Sequence, residues 1–353
     1  MLQQEKKRIG WIDIAKTIAI LLVVWGHTLR GGDVQRVMYS FHVATFFMLS
    51  GMTCRVRDIG RQIRTDFLRI MVPYYIFGVA SIGIFLVLGG FAADQLDMST
   101  RSSLWDNLLE LLVACPKGNR MKFNMPLWFL PCLFVTKLLY YALSKVCRGK
   151  QGYIVGGSAV LAVLSFLYTH LVEVSLPFNL SVAGKMLFFF ALGRLLFLWI
   201  TQREKPLPSR AVLLVAGAVS LMLTAVIAWM SPKVNYTGDT FPNAMSFMIT
   251  ALLGSSGVCL LSMGMDRCRV MEYVGRNTLP ILLMHKFPIL LFQTVGPFKS
   301  ILADYNSFAG VAVSLGVAAL SIVLCLLVAW VLQRYTPFLL GDFSRRPKTP
   351  TTD

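Results

Sequence analysis

Charge is what this sequence has least of. Only 14% of its 353 residues are Asp, Glu, Lys or Arg, against roughly 25% in soluble domains, so its surface is not built mainly for water. Acids are the scarcer sign: 17 Asp and Glu face 34 Lys and Arg, a net charge of +17. The seven cysteines (Cys54, Cys115, Cys132, Cys147, Cys259, Cys268, Cys325) form no C-x-x-C pair and mostly fall within or beside apolar segments. That scatter argues against a disulfide framework and against a zinc site, and no metal centre is expected. No internal repeat recurs at a fixed period, and no stretch is left for a soluble domain. The basic N-terminus followed by an apolar run has the outline of a signal peptide. The run is long, however, contains Asp13, Lys16 and His27, and has no small-residue cleavage pattern behind it, so it reads as a retained first helix.

What the chain has instead is apolar runs of membrane-spanning length. Spans are expected at about 12–29, 40–54, 68–91, 125–143, 153–170, 181–200, 211–230, 246–263, 279–295 and 308–332, the second being short. Most Lys and Arg fall in alternate connections, including the run Arg55, Arg57, Arg61, Arg64 and Arg69. That asymmetry places the basic loops in the cytoplasm. The expected fold is therefore all-α: a polytopic membrane helix bundle of about ten transmembrane helices with both termini cytoplasmic. The same loop placement accounts for the positive charge without a nucleic-acid partner. A transmembrane domain is expected over 1–340 and a disordered cytoplasmic tail over 341–353. The connection 92–124 is the only long external loop; Leu104, Leu108, Leu111 and Leu112 recur in it at helical spacing, which predicts a short interfacial helix.

Ionisable groups inside a bilayer cost at least about 2.5–3.5 kcal/mol and by default mark function. Asp13 and Lys16 lie on one face of the first span, and His27, eleven residues beyond Lys16, returns to that face about 16 Å away. His42 opens the second span, and an up-down hairpin returns it to nearly the depth of His27. His285 falls near mid-membrane in the ninth span, open between a site residue and a hydrogen-bonded packing histidine. Ser50-Gly51 is equally open between close helix packing and a catalytic element. Arg64 and Arg69 belong to a basic patch beside the Asp13–Lys16 end, where Arg forks suit phosphate. Trp128 and Lys185, near the outer ends of their spans, are weaker candidates. Trp128 suits stacking on a sugar, or a place in the aromatic belt.

These residues resemble the integral-membrane acyltransferase-3 family, in its fucose 4-O-acetylase-like branch. The resemblance is carried by Trp11-Ile12-Asp13-Ile14-Ala15-Lys16 leading to Gly26-His27, and by Phe41-His42 leading to Phe46-Phe47-Met48-Leu49-Ser50-Gly51. Further matching stretches are Arg69-Ile70-Met71-Val72-Pro73-Tyr74-Tyr75, Leu127-Trp128-Phe129-Leu130, Phe188-Phe189-Phe190-Ala191-Leu192-Gly193, and Asn277-Thr278-Leu279-Pro280 with Met284-His285. It covers about residues 8–330. Many members carry Arg where this chain has Lys16, a swap that keeps the charge but loses a bidentate fork.

The resemblance implies transfer of an acyl group, usually acetyl, from cytoplasmic acyl-CoA to a hydroxyl of an envelope glycan, glycolipid or related acceptor, in the bacterial cytoplasmic membrane. Acetyl-CoA is then a co-substrate, and no tightly bound cofactor is expected. The roles that follow are His27 as general base with His42 and His285 assisting, Asp13, Lys16, Arg64 and Arg69 on the donor, and Trp128 and Lys185 on the acceptor. External aromatics and the 92–124 loop are expected to shape the acceptor pocket, and membrane lipid surrounds the bundle. Acylation of His27 itself is a variant. A secondary transporter or flippase for a sugar or lipid-linked sugar would use the same intramembrane residues, but calls for inverted repeats and paired broken helices that the sequence does not display. A solute-binding membrane domain is the third reading.

Overall fold

The computed structural model describes residues 9–56, 58–92, 103–118, 120–172, 174–204, 206–294, 300–302 and 304–343. Of the disordered tail expected over 341–353, residues 344–353 lie outside the described residues, as do Arg57 and the 93–102 part of the external loop. Among those described there is no strand beyond one isolated bridge, Asn235 to Thr240.

The chain runs through α1 (Gly10–Thr28), α2 (Gly32–Tyr39), α3 (His42–Thr53) and α4 (Ile59–Asp66). A π-helical turn (Phe67–Met71) then leads into α5 (Val72–Ala92), α6 (Leu104–Val113), α7 (Phe129–Val146), α8 (Gln151–Leu171) and α9 (Leu180–Gln202). After these come α10 (Arg210–Trp229), α11 (Ala244–Gly264), α12 (Arg269–Arg276), α13 (Thr278–Met284), α14 (Lys286–Thr294) and α15 (Phe308–Tyr335). Helix α6 is the short helix predicted in the external loop, started by a capping box in which Ser103 and Asp106 exchange side-chain-to-backbone bonds.

Eight helical stretches among the described residues are long and apolar enough to cross a membrane. Two of the expected spans are missing from that set, each for a physical reason. Helix α3 has only 12 residues, about 18 Å of rise against a hydrocarbon core of about 30 Å. The ninth span is split into α13 and α14 with His285 between them. Pro288 has no N–H to give the Met284 carbonyl, and its ring crowds that oxygen, so the helix loosens one turn before it.

Polarity is inverted relative to a water-soluble bundle. Val160, Val163, Leu164 and Leu167 on α8, and Val215, Val219 and Leu223 on α10, are exposed, whereas Ser158, Thr224, Ser255, Ser262 and Ser314 are buried. Apolar side chains facing outward and small hydroxyls between helices suit lipid as the solvent. The protein is a multi-pass membrane protein.

Short α3 sits in the middle, packed on α1, α9 and α11. Its closest contact is with α9. A Cβ on Gly51 would collide with the Phe190 carbonyl, and one on Gly193 with the Met48 carbonyl. Gly51 is thus a close-packing point, the reading that the sequence left open.

Candidate active site

Helix α1 presents Lys16, Val23 and His27 to one elongated cavity of about 360 Å³. Because α3 runs antiparallel to α1, Ser50 and Thr53 line the Lys16 end of the cavity while His42 lines the His27 end. Arg69, Lys137 and Thr278 join the first group. Tyr39, Trp128, Asn235, Tyr236 and Thr237 join the second. One continuous space therefore has cations and hydroxyls at one end, imidazoles in its outer half, and aromatic rings and an amide at its mouth.

The last turn of α1 fixes His27. Gln35 donates from Nε2 to the Gly26 and Leu29 carbonyls, both at 2.7 Å, and Gln293 donates to the Thr28 carbonyl at 3.3 Å. These side chains satisfy the carbonyls that a helix end leaves open. The His27 ring, half-buried, lies 5.3 Å from His285 and 6.3 Å from Tyr39 between ring centroids. His285 is fully buried. Its Nδ1 is 2.9 Å from the Ile281 carbonyl, one turn back. A carbonyl only accepts, so Nδ1 carries the proton and Nε2 is left as a lone pair, buried without a hydrogen-bond partner among the described residues. His42 is held the same way, its Nδ1 2.6 Å from the Met38 carbonyl. Both rings thus present basic nitrogens rather than protons.

At the cation end, Asp66 organises a compact cluster. It accepts from Lys137 Nζ at 2.5 Å, from the Tyr141 hydroxyl at 2.5 Å and from Gln62 Nε2 at 3.3 Å. Asp66 ends α4 and Arg69 lies within the π-helical turn that follows; such turns add a residue to the helix and re-aim its side chains. Asp13 is buried, with Lys16 Nζ 4.0 Å and Arg276 Nε 3.5 Å from its oxygens.

At the mouth, Trp128 and Tyr236 stack with centroids 6.3 Å apart and planes 17° apart, and Tyr236 also meets the His42 ring at 6.0 Å. Among the described residues the buried Tyr236 hydroxyl has no hydrogen-bond partner. Burial pushes this phenol well above its usual pKa, so it is protonated at neutral pH.

Of the residues singled out from the sequence, the cavity brings together Lys16, His27, His42, Arg69 and Trp128, with the His285 ring beside His27 and tilted 38° to it. Asp13 lies outside the lining, beside Lys16. Arg64 is exposed on α4 and does not line it. Lys185 is also absent from the lining; it is buried and ion-paired at 2.5 Å with Asp239. Among the lining residues that the sequence reading did not single out are Lys137, Tyr39 and Tyr236. Lys137 carried the signal that marked Lys16, an ionisable group inside a span. Tyr39 and Tyr236 carried none. Nor do the described residues of 92–124 line the cavity; the loop that does is 231–243, while Asn124 braces α13 by donating to the Leu283 carbonyl at 3.0 Å.

The described residues thus form a membrane helix bundle whose histidines converge on a cavity between a cationic end and an aromatic mouth. The acyltransferase-3 family, described as an acyltransferase domain, matches residues 9–333, and the chain belongs to that family. It is a membrane acyltransferase. No curated protein and no solved structure matches it.

Proposed function

We propose that this acyltransferase moves an acetyl group from cytoplasmic acetyl-CoA to a hydroxyl of an envelope glycan or glycolipid, in the bacterial cytoplasmic membrane, with His27 as general base. The observation that carries this reading is the single cavity joining Lys16, Arg69 and Lys137 to His27 and His42. The distance from Lys16 to His27, about 16 Å along α1, suits a donor with phosphates at one end and a thioester at the other. Lys16, Arg69 and Lys137 take the phosphates, with Asp13 orienting Lys16 and the exposed Arg64 adding charge at the entrance.

The acceptor enters at the Trp128 end. His27 takes the proton of the acceptor hydroxyl as its oxygen attacks the thioester carbonyl. The C–S bond breaks, and the coenzyme thiolate leaves and takes up that proton. His285, its Nε2 lone pair close to His27, accepts a hydrogen bond from the His27 imidazolium and steadies it. His42 orients the acceptor hydroxyl through its own Nε2.

The test is acetyl-CoA turnover by purified protein in nanodiscs, wild type against His27→Ala, with an envelope-glycan extract as acceptor. Thiol release that requires both His27 and the acceptor supports the reading. Near wild-type transfer by His27→Ala sinks it.

A further inference from the structure

The loop 231–243 is built like a clamp around one side chain. On one flank the Lys233 ammonium bonds to Gln35 Oε1 and lies 5.2 Å over the Tyr39 ring. On the other flank Asp239 accepts from Lys185 Nζ and from the Ser181 hydroxyl, each at 2.5 Å. Between these anchors, Asn235 and Thr240 exchange backbone hydrogen bonds of 2.9 and 2.8 Å. The residue so presented is Tyr236, which lines the cavity, stacks on Trp128, and keeps a buried hydroxyl without a partner among the described residues. A loop cross-braced at both ends and closed on itself has little freedom to supply that partner later. A ligand in the cavity that Tyr236 lines can supply it.

We infer that Tyr236 is an acceptor-binding residue, that its hydroxyl bonds a pyranose lying against the Trp128–Tyr236 platform, and that the Lys185–Asp239 pair positions Tyr236. The inference rests on the transferase reading of the cavity. A sugar ring offers what this end of the cavity lacks: C–H faces for the indole, and hydroxyls for a phenol held 6.0 Å, ring to ring, from His42. Lys185 thereby acts on the acceptor through the loop, from a place where its ammonium is buried between the Phe166 and Phe241 rings at 5.2 and 4.7 Å and never enters the cavity lining.

The experiment measures acetyl transfer from acetyl-CoA to a panel of methyl pyranosides by the full chain in nanodiscs, for wild type, Tyr236→Phe and Asp239→Asn. Phe keeps the ring and its packing and removes only the hydroxyl. The expected result is an acceptor KM about three- to tenfold higher in Tyr236→Phe, with the KM for acetyl-CoA unchanged. Asp239→Asn moves the acceptor KM the same way and again spares the donor KM, a split that general loosening of the fold would not produce. Unaltered acceptor kinetics in Tyr236→Phe would overturn the inference and leave the acyltransferase intact. So would a wild type that acetylates a non-sugar alcohol such as glycerol but none of the pyranosides. A wild type that transfers acetyl from acetyl-CoA to none of these alcohols removes the proposed acetyl transfer, and this inference with it.

Discussion

His27 and His285 meet with ring centroids 5.3 Å apart, one from the last turn of α1 and the other from the break between α13 and α14. The contact depends on Pro288, which loosens the ninth span at His285, and on the glutamines that hold the end of α1. In such a pair the half-buried ring is the one that reaches the cavity, and the fully buried ring can act only on its neighbour.

Substitutions at the two histidines should therefore differ in size. His27→Ala is expected to lower kcat by about 10²–10⁴-fold, the range of a positioned base. His285→Ala should cost less, leave acceptor-dependent thiol release measurable, and leave the KM for acetyl-CoA unchanged. Steady-state thiol release by the two variants decides this.

Lys137 should be felt at the donor. Loss of a charge-assisted contact of about 1.5–3 kcal/mol raises the KM for acetyl-CoA about 10- to 100-fold. Lys137→Met should do so with little change in kcat, and should lose the effect when acetyl-pantetheine, which lacks the nucleotide, is the donor. Equal sensitivity with both donors would remove Lys137 from phosphate binding.

The α3–α9 contact tolerates no side chain. Gly51→Ala or Gly193→Ala forces a methyl group against a carbonyl on the facing helix, an overpacking cost of about 1–3 kcal/mol. A lower midpoint of thermal unfolding in detergent, for both variants, checks it.

Acid should weaken the docking of α12 on α1. The Arg267 hydrogen bond, with the Arg267 and Arg276 charges, holds the Glu272 carboxyl below its ordinary pKa. A depressed folded-state pKa contributes stability above the unfolded value, about 4.3, and loses it as pH falls through the folded value. Melting temperature should therefore drop on acidification below about pH 4, and that drop should be shallower in Glu272→Gln.

The sequence alone determined the class of the protein. The bilayer admits only helices and closed barrels, and continuous apolar runs of about twenty residues, too long and too uniform for barrel strands, select helices. The charged stripe of α1 was legible too, since Lys16 and His27 share a face through helical periodicity alone. What only the tertiary structure decided is how distant segments meet. Lys185, on its own an intramembrane cation facing either way, is taken up by Asp239 from a loop more than fifty residues on. Lys137 lines the cavity because Asp66, itself bonded by the Tyr141 hydroxyl, holds it there. Tyr236, one more aromatic in a short connection, is placed over the site because Gln35 and Lys185 pin the loop from two different helices. Such placements depend on packing between segments far apart in the chain, and local periodicity carries no record of them.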